Sequence, residues 1–90
     1  FWIYFYGCKS SRCSSIQFVA GFDLKSGSSL GEMNVWNRDY RFGMAYLDNE
    51  NDPHIKLDLD VEHGATAEAL TNVIERWGAV LTTFKKHINW

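Results

Sequence analysis

The sequence predicts an α+β domain, an antiparallel sheet of four visible strands with two helices in the order β-β-α-β-β-α. Three observations predict this class. Strand-like runs occur in two pairs, and a short turn joins the two runs of each pair. In two further segments the apolar residues have helical spacing. The 90 residues are also 46% apolar and 16% aromatic, which argues against disordered tails or a coiled coil and favours one small domain over residues 1–90.

The first two strands form a predicted hairpin. Residues 1–6 are all aromatic or β-branched, and Gly7 ends the run. Apolar residues then recur at every second position from Ile16 to Phe22, which predicts a second strand. Because a short polar turn joins the two runs, we expect them to pair antiparallel.

The first helix is predicted from Leu30 to Tyr40. Ser29 is its N-cap and Glu32 completes a capping box. The helix has weak intrinsic propensity, so we expect packing of Met33 and Trp36 to hold it in place.

The second pair of strands follows this helix. Residues 41–48 are predicted to form the third strand, and a turn containing the one proline leads to the fourth, residues 54–62. The fourth strand alternates apolar and charged residues, which predicts one buried face and one wet face.

The last helix begins after Thr66, its predicted N-cap, and runs to the end of the sequence. Its apolar residues follow the i, i+3, i+4 spacing of an amphipathic helix: Leu70, Val73, Ile74, Trp77, Leu81, Phe84 and Ile88. Basic residues in the last turn complement the helix dipole.

The opening strand is apolar on both faces, so we expect it to be covered on both. Two helices cannot provide that cover, and an N-terminal segment, another subunit or a partner would have to supply it. We therefore expect the domain to be larger than this chain. Its surplus aromatic residues form the candidate interaction surface: Trp2, Tyr4, Tyr6 and Trp90.

Cys8 and Cys13 flank the turn of the first hairpin. If they face each other across it, their Cα atoms lie within about 4.5–5.5 Å, which suits a disulfide. Such a bridge indicates an oxidising compartment. A redox role and a zinc site are disfavoured by the spacing and by the lack of further thiols, whereas reduced, buried thiols stay open as an alternative.

Three carboxylates, Asp58, Asp60 and Glu62, share one face of the fourth predicted strand. They predict either a solvated face or, as the alternative, a divalent-metal or small-ligand sensor. Successive side chains are about 7 Å apart and diverge, which favours the solvated face.

Other chemistry is not indicated. No nucleophile motif or phosphate-binding loop is present, so we expect neither an enzyme nor a cofactor. The net charge of −2 argues against nucleic-acid binding. The sequence contains no run of about 20 apolar residues, so we predict no membrane span.

Two stretches in the middle of the chain carry a family resemblance. The specific string is N-x-W-N-R followed by R-F-G-x-A-Y-L-D, and its residues with expected structural roles are Asn34, Trp36, Asn37, Arg38, Arg41, Phe42, Gly43 and Tyr46. Together with the hairpin, the acidic strand and the last helix, this string makes the chain resemble the YbjN family of bacterial sensory transduction regulators over nearly its whole length. Met44 and His63 depart from the residues common at those positions.

The resemblance implies a fold similar to that of type III secretion chaperones, in which case this chain would lack a first helix and a first strand. It carries over no catalytic residue. Some relatives with the same Cys-turn-Cys hairpin carry signal peptides, which implies a periplasmic or exported protein, with the cytoplasm as the alternative. We thus expect a non-enzymatic protein-interaction or regulatory module that binds a protein partner or forms a homodimer.

Overall fold

The computed structural model describes residues 1–90 and confirms the predicted class and element order. The elements are β1 (Trp2–Tyr6), β2 (Ser15–Gly21), α1 (Leu30–Asp39), β3 (Met44–Leu47), β4 (Pro53–Asp60) and α2 (Ala67–His87). The strands form one sheet in the order β1-β2-β4-β3, and all three pairings are antiparallel. β1 and β3 are therefore the two edges of the sheet.

Both helices pack on the same face of this sheet. Ala20 of β2 pairs with Ile55 of β4, which pairs with Ala45 of β3, so these three side chains share one face. They join the core cluster together with Trp36 of α1 and Trp77 of α2. The opposite face carries no helix.

The helix starts agree with the predicted caps. The Ser29 hydroxyl accepts a hydrogen bond from the Glu32 amide at 3.2 Å, and the Thr66 hydroxyl accepts one from the Ala69 amide at 3.0 Å. At least one apolar residue at helical spacing is not buried, since Ile74 of α2 is 58% exposed.

Neither helix combines the length and apolar character needed to cross a membrane.

Two strands are shorter than predicted. β3 begins only at Met44 because Gly43, with φ +87°, turns the chain and leaves Arg41 and Phe42 in a bend. β4 ends at Asp60, whose carboxylate accepts a hydrogen bond from the Glu62 amide at 2.9 Å in the turn that follows.

Within this chain β1 is covered on neither face, so the cover expected from an N-terminal segment, another subunit or a partner stays a prediction. All five residues of β1 are exposed. The helix layer lies over β2, β4 and β3, and at the β1 end the Phe1 ring lies 5.8 Å from that of Trp77.

Candidate interaction surface

β1 is an uncovered edge strand. It pairs with β2 on one side and with nothing on the other, so backbone N–H and C=O groups face outward along that edge. Its apolar side chains are exposed on both faces, with Trp2 at 58% and Phe5 at 61%. An exposed apolar strand of this kind is typical of a binding site for another chain.

The bare face of the sheet extends this surface. Strand pairing aligns Trp2 with Val19, Val19 with Lys56 and Lys56 with Met44 in one row across all four strands. We call the exposed large side chains of this face the aromatic sheet face, and its members are Trp2, Tyr4, Tyr6, Met44 and Tyr46. The sequence alone placed Trp2, Tyr4 and Tyr6 together, whereas the addition of Met44 and Tyr46 requires the sheet order.

Trp90 lies elsewhere. Its ring packs edge-on against Phe22 with the centroids 5.1 Å apart. Phe22 belongs to the core cluster on the helix side of the sheet. Trp90 therefore lies on the helix side of the sheet, where it is 59% exposed, and does not join the aromatic sheet face.

A histidine–carboxylate pair lies at one end of this face, and sequence reasoning missed it. The His54 Nε2 atom lies 2.9 Å from a carboxylate oxygen of Asp48, and the His54 ring stacks on Tyr46 at 5.0 Å. On its other side the ring leaves no room for a side chain, because a Cβ at Gly21 would lie 2.5 Å from it. His54 follows Asp48 by six residues across a turn, and Gly21 lies opposite His54 in the strand register. These are the only signals in the sequence that could have suggested the pair.

Hydrogen bonds fix the charge of Asp48. The bond from the His54 ring, followed by those from the backbone amides of Asp52 and Glu50, lowers the pKa of its carboxyl. Burial is the main cause that raises the pKa of the Tyr46 hydroxyl. No Ser, Thr or Cys side chain hydrogen-bonds to His54, so this pair has no attached nucleophile.

The acidic residues on β4 do not converge. Asp58 accepts a hydrogen bond from the Gln17 amide at 2.8 Å, and Asp60 caps the turn at Glu62. No group of three or more His, Cys, Asp and Glu side chains is placed to hold a metal ion. This geometry is that of a solvated strand face.

Cys8 and Cys13 face each other at the tip of the β1–β2 hairpin. Their sulfurs are 2.08 Å apart, as in the predicted bridge, whereas their Cα atoms are 3.8 Å apart, closer than the expected separation of about 4.5–5.5 Å. Lys9 and Arg12 pair by backbone hydrogen bonds just beyond it, and the two serines between them have positive φ. The bridge therefore closes a tight hairpin turn.

Several residues of the family string join α1 to β3. The Asn37 side chain makes two hydrogen bonds to the Ala45 backbone, donating to its carbonyl at 3.1 Å and accepting from its amide at 2.9 Å. Trp36 donates its ring N–H to the Gly43 carbonyl at 3.0 Å. These contacts stabilise the free edge of β3, which is a structural role.

Two other members of the string lie on the surface of α1. Arg38 forms an exposed ion pair with the neighbouring Asp39 at 2.8 Å. Asn34 is exposed and makes no side-chain hydrogen bond within the protein. Neither residue contacts the aromatic sheet face.

The comparison with known proteins gives one family. The model of the YbjN family, described as "Putative bacterial sensory transduction regulator", matches residues 1–90. No curated protein and no solved structure matches the chain.

Proposed function

The chain belongs to the YbjN family, and from this premise we propose that it is a non-enzymatic regulatory module that binds a protein partner or a second copy of itself. The proposed contact surface is the β1 edge together with the aromatic sheet face. The observation that carries the proposal is the exposure of β1 on both faces and along its outer edge.

Soluble proteins normally protect an edge strand with charged residues, proline or a bulge. β1, with the sequence Trp-Ile-Tyr-Phe-Tyr, has no charged residue and no proline, and its ladder with β2 is regular. A partner strand that adds to this edge would satisfy the outward backbone groups and bury aromatic side chains on both faces. The energetic gain would come from groups that are now exposed to water.

A second copy suits this edge as well as another protein does. If two β1 strands paired antiparallel about Tyr4, Trp2 of one copy would lie opposite Tyr6 of the other, and Ile3 opposite Phe5. Aromatic pairs across strands are among the favourable ones. The arrangement would join two sheets into one and bring the helix-side residues of the two β1 strands into contact with each other.

Two further features support the proposal. The His54–Asp48 pair has no attached nucleophile, which supports a non-enzymatic role. The Cys8–Cys13 bridge supports export to an oxidising compartment such as the periplasm.

The test replaces one exposed aromatic residue on β1 with a charge. If the unchanged protein self-associates in sedimentation velocity runs, we expect Tyr4→Lys to abolish that association. If the unchanged protein instead captures a partner protein from cell envelopes, we expect Tyr4→Lys to abolish that capture. Leu30→Lys is the matched control, because Leu30 is 77% exposed at the start of α1 and lies outside the proposed surface.

Circular dichroism would establish that both variants are folded. The proposal is wrong if the unchanged protein stays monomeric at high micromolar concentration and captures no partner. It is also wrong if the Tyr4 and Leu30 variants lose association equally.

A further inference from the structure

A small cavity lies on the other side of the molecule, between the end of α1, the bend before β3 and the middle of α2. Its volume is about 170 Å³, and its lining includes Trp36, Tyr40, Arg41, Phe42, Arg76 and Thr83. The Tyr40 ring stacks on the buried Trp36 ring with the centroids 4.1 Å apart, and the exposed Tyr40 ring forms an apolar wall. None of the lining residues is acidic.

Two arginines hold positive charge at this cavity. The guanidinium carbon of Arg76 lies 3.9 Å from the centre of the Phe42 ring, and that of Arg41 lies 5.3 Å from it. The two positive charges are therefore within about 9 Å of each other and repel. Neither arginine forms an ion pair with a carboxylate, although the chain as a whole carries a net charge of −2.

The other polar groups around the cavity can also donate. The hydroxyls of Tyr40 and Thr83 have no hydrogen-bond partner within the protein, whereas the Trp36 N–H is already bonded to Gly43. An adjoining cavity shares Arg41 and contains Asp58, but that carboxylate bonds to Gln17 at 2.8 Å. The cavity thus combines free donors, two unpaired cations and an aromatic wall.

We propose that this cavity binds a small oxyanion, a carboxylate or a phosphate, that is carried on a short aromatic or other apolar group. Guanidinium groups match the oxygens of both anions and would be relieved of their mutual repulsion by the bound charge. The apolar part would lie against the Tyr40 ring. The volume is well below the roughly 300–1,000 Å³ of drug-sized ligand sites, so the ligand has few heavy atoms.

The experiment uses benzoate and phenyl phosphate as probes, with benzyl alcohol as the uncharged control. Each is titrated at constant ionic strength into ¹⁵N-labelled protein, and the NMR shifts of the Trp36 ring N–H and the arginine Nε–H groups are followed. We expect saturable shifts with at least one anion and none with benzyl alcohol. A response to only one of the two anions identifies the headgroup and supports the proposal.

Three variants test the site itself. We expect R76Q and R41Q each to bind the responding anion at least tenfold more weakly. K85Q is the control, because Lys85 is exposed on the same helix and lines a different cavity, together with Phe1 and Leu81, so this substitution removes one positive charge away from the two arginines. The proposal is overturned if neither anion binds the unchanged protein, if either arginine variant keeps its affinity, or if K85Q loses as much as they do.

Discussion

Asn37→Ala removes the two hydrogen bonds that connect α1 to β3. The Asn37 side chain bonds to both the carbonyl and the amide of Ala45, and Ala45 is buried. Each lost bond to a backbone group that is left with poor access to water costs about 1 kcal/mol, or about 2 kcal/mol for the pair. Alanine has higher helix propensity than asparagine and returns about 0.5 kcal/mol, so we expect a net loss of about 1.5 kcal/mol.

The assay is urea unfolding followed by circular dichroism, with thermal unfolding as a second measurement. For a domain of this size the loss corresponds to a fall in Tm of about 6–12 °C. Asn34→Ala is the matched control on the same helix, because Asn34 is exposed and makes no side-chain hydrogen bond. We expect the control to gain about 0.5 kcal/mol from helix propensity alone.

Equal stability of the Asn37 and Asn34 variants would refute this reasoning. Asn37→Asp adds a further check, since aspartate keeps an acceptor for the Ala45 amide but loses the donor to its carbonyl. Its second carboxylate oxygen would face the Ala45 carbonyl oxygen, which is also an acceptor, so we expect Asn37→Asp to be no more stable than Asn37→Ala at neutral pH.

Two further predictions concern backbone strain and pH. Gly43→Ala should destabilise the fold by about 3 kcal/mol in urea unfolding, because Gly43 has φ +87° and an added Cβ would meet side chains at 3.0 Å. Gly78→Ala is its control and should stabilise by up to about 1 kcal/mol, since nothing lies within 4 Å there; a Gly43 variant as stable as this control would contradict the argument. The hydrogen bond from His54 and two from backbone amides hold the Asp48 pKa below 3.8, so its contribution to stability is present above that pH and is lost as the pH falls through the lowered pKa. The free energy of unfolding should therefore decline more steeply below about pH 4 in the unchanged protein than in Asp48→Asn. Parallel pH profiles of this free energy in the two proteins would disprove the role assigned to Asp48.

Element order was predictable because each element carries its own local signal. The alternation in β2 and β4, the capping residues Ser29 and Thr66, and the apolar spacing of α2 all act over a few residues of chain. Strand ends were less predictable. The start of β3 depends on how Gly43 packs against residues from β4 and α2, which local sequence does not express.

The candidate sites also differ in how far the sequence predicted them. The exposed aromatic strand was expected to need a partner because its composition alone exceeds what two helices can bury. The His54–Asp48 pair and the Arg41–Arg76 cavity were not expected, since each joins residues from different elements.

Short-range patterns and one specific string of residues were enough to predict the class, the order of elements, the hairpin bridge and the family. Three features required the folded chain: both helices cover one face, β1 lies uncovered at the edge, and two arginines share one cavity. These features depend on contacts between distant segments, which the local pattern of each segment does not specify.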